Sequence, residues 1–448
     1  GELKEINGDK LINEDGKILT NKELDINVKN VDNTNGEIYS AERIKAVGDI
    51  LNNVNGEIHS AGKIEIEVKN VNNTKGYILA DGIQKEDLEK KENNTNNNDK
   101  NEDKDRITEK TENPIQKSIT ITGDKLNNTD GTIAGIGEIG IGVKNTDNTK
   151  GKITGNSIEI KGINLNNTEG ILQSNTSIAL GIDSIINIKG IITGDEVNIK
   201  AENLNNTEGQ ITANDLILDS SVNNTKGLIL SNTITLKGRE LINKEGSIKG
   251  SEIASSIEKL DNTLGNIEGL GKVELLNLIN NGGKVSSDYY ISIRNTADLE
   301  NTNGMIDVKE SEGGIEITLG KDLENSGGQI VSKGVVLIDS LGDMTLEGKI
   351  EGLEGTKIEA NTLTTREIIN NKSTLELIGR NGVTLNNDIT AKILSIESGS
   401  NLDINNKIHG EEGLSLKAKD ITNKNEITSG DYLYIKSDGR LENTQNGL

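Results

Sequence analysis

The 448-residue sequence has no cysteine, no tryptophan and no phenylalanine, a single proline and 6 tyrosines. Without cysteine there is no disulfide framework, thiolate nucleophile or cysteine metal site. Without large aromatics the usual way of filling a globular core is missing, so any core must be built from Ile, Leu and Val. One proline excludes proline-rich linkers and a collagen-like chain. Also missing is any apolar run long enough to cross a membrane as a helix, and any charged-then-apolar start of the signal-peptide kind. Only His59 and His409 are available as imidazoles, too few and too far apart for a Ser-His-Asp triad or a histidine metal site.

What is present is acid, glycine and alternation. There are 72 acidic residues against 49 basic ones, a net charge of −23, which disfavours nucleic acid as a partner because phosphate backbones are bound through Lys and Arg clusters. Low hydrophobicity with high charge also describes disordered chains. Here, however, apolar residues alternate with polar ones in β-branched runs such as Ile64-Glu65-Ile66-Glu67-Val68 and Val197-Asn198-Ile199-Lys200-Ala201, the pattern of half-buried strands. The 51 glycines then need a regular use.

That use is a repeat. The motif aliphatic-x-Asn-x-x-Gly-x-Ile occurs at Val31–Ile38, Leu51–Ile58, Val71–Ile78, Leu126–Ile133, Leu204–Ile211, Leu241–Ile248, Leu260–Ile267 and Leu299–Ile306. The motif Asn falls at 13, 33, 53 and 73, then at 128, 148, 167, 187, 206, 224, 243, 262 and 280. A period of 18 to 20 sustained in this way indicates a solenoid. Counting from the Asn, small or aliphatic residues stand nine, seven, five and two before it and five and seven after it. For Asn206 they are Val197, Ile199, Ala201, Leu204, Ile211 and Ala213. Spacings of two give strand, corner, strand, with no helical stretch, so a leucine-rich repeat is the lesser reading. The predicted fold is all-β: an elongated right-handed parallel β-helix of about 20-residue coils. Some 20 coils at strand spacing would make a rod roughly 100 Å long.

Within the coil, the Gly three after the Asn suits a corner that needs either positive φ or no Cβ. The Asn suits a corner whose amide satisfies backbone groups and stacks on the Asn of the next coil; the alternative is an Asn row that binds a ligand. The 18-, 19- and 20-residue variants place the tolerant corner after the last small residue. At that corner the 55-residue step from Asn73 to Asn128 exceeds the period by 35. The chain is accordingly read as repeats over 1–83, a charged flexible insertion over 84–117, repeats over 118–330, and a less regular β-helix over 331–448, where Asn405, Asn423 and Asn443 keep the step. In the insertion, Asp99, Asn101, Asp103 and Asp105 alternate like the first ligands of a calcium loop. Lys104 and Lys110 stand where an EF-hand needs Gly and Glu, so the run reads as solvated charge.

The unit Leu204-Asn205-Asn206-Thr207-Glu208-Gly209-Gln210-Ile211 resembles the haemagglutinin repeat of filamentous haemagglutinin-type exoproteins of Gram-negative two-partner secretion systems. Those include adhesins and contact-dependent growth-inhibition stalks. The resemblance covers residues 10 to 330 clearly and the rest weakly. It implies a secreted cell-surface filament with a structural or adhesive role. Its partners would be an outer-membrane pore during export and a receptor on a host or bacterial cell. The family's secretion domain carries Asn-Pro-Asn, whereas the only proline here lies in Asn113-Pro114-Ile115, so the chain reads as a central shaft cut from a longer protein. No catalytic, cofactor-binding or metal-binding residue is assigned, no cofactor is expected, and the chain is read as a non-enzyme; a β-helix polysaccharide lyase or hydrolase is the lesser alternative. His59, following Ile58, is expected on the solvated face. The Asn-x-Thr sequons, such as Asn127-Asn128-Thr129, follow from the repeat itself.

Overall fold

A computed structural model describes residues 3–83, 117–367 and 369–444. The expected flexible insertion, with its calcium-like run and Asn113-Pro114-Ile115, lies outside the described residues except for Lys117. The described residues form strands and turns only, and their strands pair in parallel, Glu5–Ile12 with Leu24–Asp32 and Glu37–Ser40 with Glu57–Ser60 among them. The chain divides into two compact units, Gly1–Ser220 and Ser221–Leu448.

In the first unit the coil is a long bent strand, a tight turn, a short strand and a second corner, except that the short strand runs on into the next long one in Lys152–Asn166 and Ile171–Ile186. Leu24–Asp32, Glu37–Ser40 and the next long strand Arg43–Asn52 show the pattern. The register sets like on like. Leu24 pairs with Ile44 and Val31 with Leu51, then Ile44 with Ile64 and Leu51 with Val71. On the short strand Ile38, Ile58, Ile78, Ile133 and Ile153 form one column. These side chains are all but inaccessible to solvent, and each buried Ile or Leu contributes roughly 1.5–3 kcal/mol. A coil has too few apolar positions to close a core alone, so burial requires the coil above and below. The predicted β-solenoid is what the chain adopts.

The coils pass straight over the insertion: Val71 pairs with Leu126 and Ile78 with Ile133. Register slips fall mostly at the corner after the short strand, between Glu138 and Ile139 and between Gly155 and Ser157. That is the corner where the sequence steps vary. Two expected inward positions are only half-buried, Ala201 and Ala213.

In the second unit the column Ile248–Ile267–Val285–Ile306–Ile330–Ile350 continues the same short-strand face. Farther on, Ile369, Ile389, Ile408 and Ile427 form a column of their own. Asn405 does not share a column with Asn423: it is Ile404 that pairs with Asn423, which pairs with Asn443. The 18-residue step there is numerical only, and the corner position of that coil is apolar.

Candidate functional surface: corner ladders and outward columns

The repeated Asn is buried in the wall of the coil. Asn33, Asn53, Asn73, Asn128 and Asn148 are fully inaccessible. Asn33 Nδ2 donates to Asn53 Oδ1 at 2.7 Å, to the Gly36 carbonyl at 3.1 Å and to the Glu57 carbonyl at 3.2 Å. Asn53, Asn73, Asn128, Asn148 and Asn167 repeat the donation to the next Asn, each at 2.7 Å. In the second unit the ladder runs Asn224, Asn243, Asn262, Asn280, Asn301 and Asn325, adding two members at steps of 21 and 24. It ends where Asn325 Nδ2 donates instead to the Glu347 carbonyl at 2.9 Å. A residue aimed into the wall in this way has no face for a ligand; the ladder is a fastening between coils.

The turn needs two different backbone solutions. Positive φ belongs to the residue before the glycine: Asn35 at 54°, Asn55 at 52°, Lys75 at 52°, Lys150 at 55°, Glu169 at 54°. The glycine itself is required by close approach. A Cβ on Gly36, Gly56 or Gly76 would collide with the carbonyl oxygen of the Asn one coil earlier, at Asn13, Asn33 or Asn53.

The outer surface carries the chemistry that remains. One column alternates in sign, Asp9, Lys29, Asp49, Lys69, Asp124, Lys144, with ion pairs of 2.6 Å at Lys29–Asp9, Lys69–Asp49 and Lys144–Asp124. The left-handed corner position alternates too, through Lys75, Asp130, Lys150, Glu169, Lys189 and Glu208, with Lys150–Glu169 at 3.9 Å and Lys189–Glu208 at 3.6 Å. Stacked like charges would repel at strand spacing, and alternation removes that cost. Beside the Asn ladder, the preceding Asx accepts from the following Thr. Thr34 Oγ1 donates to Asp32 Oδ1 at 2.7 Å, Thr74 to Asn72 at 2.7 Å and Thr129 to Asn127 at 2.6 Å. The Thr34 hydroxyl holds the Asp32 carboxyl below its ordinary range. The sequon residues are thus paired with each other as part of the turn.

His59 corrects the sequence reading. It is buried at 4% exposure, with its ring edge-on to Tyr39 at 5.2 Å between centroids and Nδ1 3.8 Å from the Glu57 carboxylate. Its neighbours up and down the column are Tyr39 and Leu79, so the outward row is itself packed there. His409 is half-buried, with Nδ1 2.8 Å from Thr428 Oγ1. Tyr290 lies beside Lys272 at 5.8 Å and its hydroxyl donates to Glu316. Burial, with Glu316 adding to it, pushes this phenol up to about 12. Among the described residues no group of three or more His, Asp or Glu is placed to hold a metal ion, and no helix is long and apolar enough to cross a membrane.

Comparison with known families agrees with this geometry. The haemagglutinin repeat model matches residues 4–83, 161–221, 213–256, 309–348 and 379–445, more than half of the chain. The chain belongs to the haemagglutinin repeat family. The match at 379–445 shows that the haemagglutinin repeat extends into the region where the motif looked weakest, and there the strand columns persist. No curated protein matches, and no solved structure matches.

Proposed function

We propose that this haemagglutinin repeat segment is a structural and adhesive shaft of a secreted cell-surface filament. The observation that supports the reading is the Asn ladder: the residue that defines the repeat is consumed in fastening one coil to the next. Such a unit builds length, and its outward columns vary freely in sequence while the wall stays constant. On this reading the protein leaves the cell unfolded through an outer-membrane pore of a two-partner system. It then holds a binding or toxic module away from the surface. An unfolded export route suits a chain without cysteine, whose folding needs no oxidant. Small-angle scattering tests the shaft: an elongated particle is expected, whereas a radius of gyration near about 22 Å, the value for a compact chain of this length, would overturn it.

A second reading, direct adhesion through residues 84–117, is favoured by the position of that segment, an addition to the tolerant corner that leaves the columns on either side in register. Cell binding measured with and without residues 84–116 decides it, and unchanged binding removes the role. A polysaccharide lyase or hydrolase would require cleavage abolished by one outward Asp or Lys substitution.

A further inference from the structure

The wall of the second unit loosens between two of its long strands, Glu252–Asp261 and Lys272–Leu276. Ala254 pairs with Glu274, and pairing resumes only at Leu260 with Leu278, so residues 255–259 of one coil face the shorter run 275–277 of the next. Ser255 stands in the inward row, over Leu236, where other coils place an aliphatic side chain. A cavity of about 290 Å³ opens there, just under the size range of ligand pockets, roughly 300–1,000 Å³. Leu236, Leu275 and Leu276 supply its apolar lining, and Thr235, Ser255, Ser292 and Arg294 line it with polar groups. The haemagglutinin repeat model matches 213–256 and 309–348, so the cavity residues at 274–276 and 292–294 lie between matched stretches.

Two of these polar groups are left over by the fold. Ser292 is only 5% exposed, yet its hydroxyl makes no hydrogen bond among the described residues, and a buried polar group without a partner is costly. Arg294 is exposed and makes no ion pair or side-chain hydrogen bond among the described residues, while the charged groups around it are matched: Lys272 with Glu274 at 2.7 Å, and the Tyr290 hydroxyl with Glu316. We propose that the cavity binds a small hydroxylated carboxylate, the chemistry of a sugar acid. A planar guanidinium matches the two oxygens of a carboxylate. Glu274 at the rim repels a dianion such as phosphate and tolerates a single negative charge better. The hydroxyls of Ser292, Thr235 and Ser255 can exchange hydrogen bonds with ligand hydroxyls, and the leucines accept the C–H face of the ligand. Ser256 is not available in this way, because its Oγ donates to the Leu236 carbonyl at 3.3 Å. The site lies on the outer wall and stands independently of the shaft reading.

The test titrates galacturonate against the whole protein by ligand-detected NMR. A dissociation constant of about 1 mM is expected, the scale for a ligand of this size held by a few polar contacts. Galactose, which lacks the carboxylate, should bind at least about tenfold more weakly, and Arg294→Gln should weaken galacturonate binding roughly tenfold, as loss of a charged hydrogen bond does. Ser292→Ala should weaken it about fivefold, and Lys284→Gln, an exposed change on the short-strand face, should leave it unchanged. Circular dichroism identical to that of the parent shows that each variant is folded. A trimer of galacturonate separates two sources of the ligand: tighter binding than the monomer assigns the site to a residue of an acidic polysaccharide, and equal binding to the free acid. No binding at about 20 mM galacturonate, more than tenfold above the expected constant, overturns the proposal. So does equal binding of galactose, indifference to Arg294→Gln, or inorganic phosphate binding as tightly as galacturonate.

Discussion

Asn33 and Asn53 share one hydrogen bond of 2.7 Å between their amides, twenty residues apart in the chain and one coil apart in space, and neither side chain is reached by solvent. Each amide is donor to the next and acceptor from the last, so substituting Asn53 takes the acceptor from the buried Asn33 Nδ2 below, which keeps only its carbonyl partners, and takes the donor from the buried Asn73 Oδ1 above. Asn53→Ala is therefore expected to destabilise its coils by about 2–5 kcal/mol, given roughly 1–3 kcal/mol per unsatisfied group. Asn52→Ala, one residue along and facing outward, should cost under about 1 kcal/mol. Hydrogen exchange at the amides of residues 51–58 and 71–78 reports the difference, and equal effects of the two changes would refute the ladder's role.

Glycine at the turn gives a second contrast. Gly56→Ala places its Cβ against the Asn33 carbonyl, whereas a Cβ on Gly8 meets nothing within 4 Å. The first substitution should cost more than about 3 kcal/mol, because a backbone carbonyl cannot swing aside as a flexible side chain can; the second should be nearly neutral. In the neighbouring position Leu264 holds φ at 57°, a conformation that Asn tolerates better. Leu264→Asn should stabilise by up to about 1 kcal/mol in thermal unfolding.

The period, the inward set and the parallel stacking were legible in the sequence because each rests on spacing, and spacing survives when single residues change. The role of the Asn was legible too: its amide meets the Gly36 and Glu57 carbonyls and the next Asn, as a corner residue stacked coil on coil should. Only the three-dimensional register shows that it is fully buried in doing so. The choice between positive φ and close approach for the glycine could not be read either, since both favour the same residue. His59 was misplaced because strict alternation assigns it outward, and alternation says nothing about whether Tyr39 and its surroundings cover that face.

Tyr290 makes a prediction about pH. Its folded-state pKa is raised to about 12 from an ordinary 10, so the neutral phenol is the favoured form. Its contribution is fully present below pH 10 and is lost as pH rises from 10 through 12. Tyrosinate absorbance should show a distinct late step near pH 12, and Tyr290→Phe should remove it. A single step near 10 for all six tyrosines would contradict the contact with Glu316 and the burial that supports it.

The alternating column Asp49–Lys69–Asp124–Lys144 predicts how coil register is held. The Lys144 ammonium holds the Asp124 carboxyl below its ordinary value and Lys69 adds to this, so the pairing is present above the unfolded carboxyl pKa and is lost as pH falls through the folded one. Lys69→Glu stacks three acids in a row and should lower thermal stability in low salt, with most of the loss recovered at 1 M salt, where the screening length is about 3 Å. Equal losses in low and high salt would mean that packing of the lysine stem, not its charge, matters at this surface.

Asp81 and Ser118 stand on the two sides of the 84–116 segment and are hydrogen-bonded to each other. The same carboxylate accepts from the backbone N–H groups of Ile136 at 3.0 Å and Gly137 at 3.2 Å, and Ser118 Oγ accepts from Gly137 N–H at 2.6 Å. One corner therefore ties the point where the chain leaves the wall to the point where it returns and to the coil above. With Val71–Leu126 and Ile78–Ile133 already in register, replacing residues 84–116 by a short Gly-Ser link should leave the β-rich circular dichroism and thermal midpoint nearly unchanged. Loop closure changes by only about 0.6 kcal/mol per doubling of length. Asp81→Ala should instead loosen this corner and raise hydrogen exchange at Ile136 and Gly137. A large loss of stability on deleting the segment, with Asp81→Ala silent, would show that the segment itself holds the wall together.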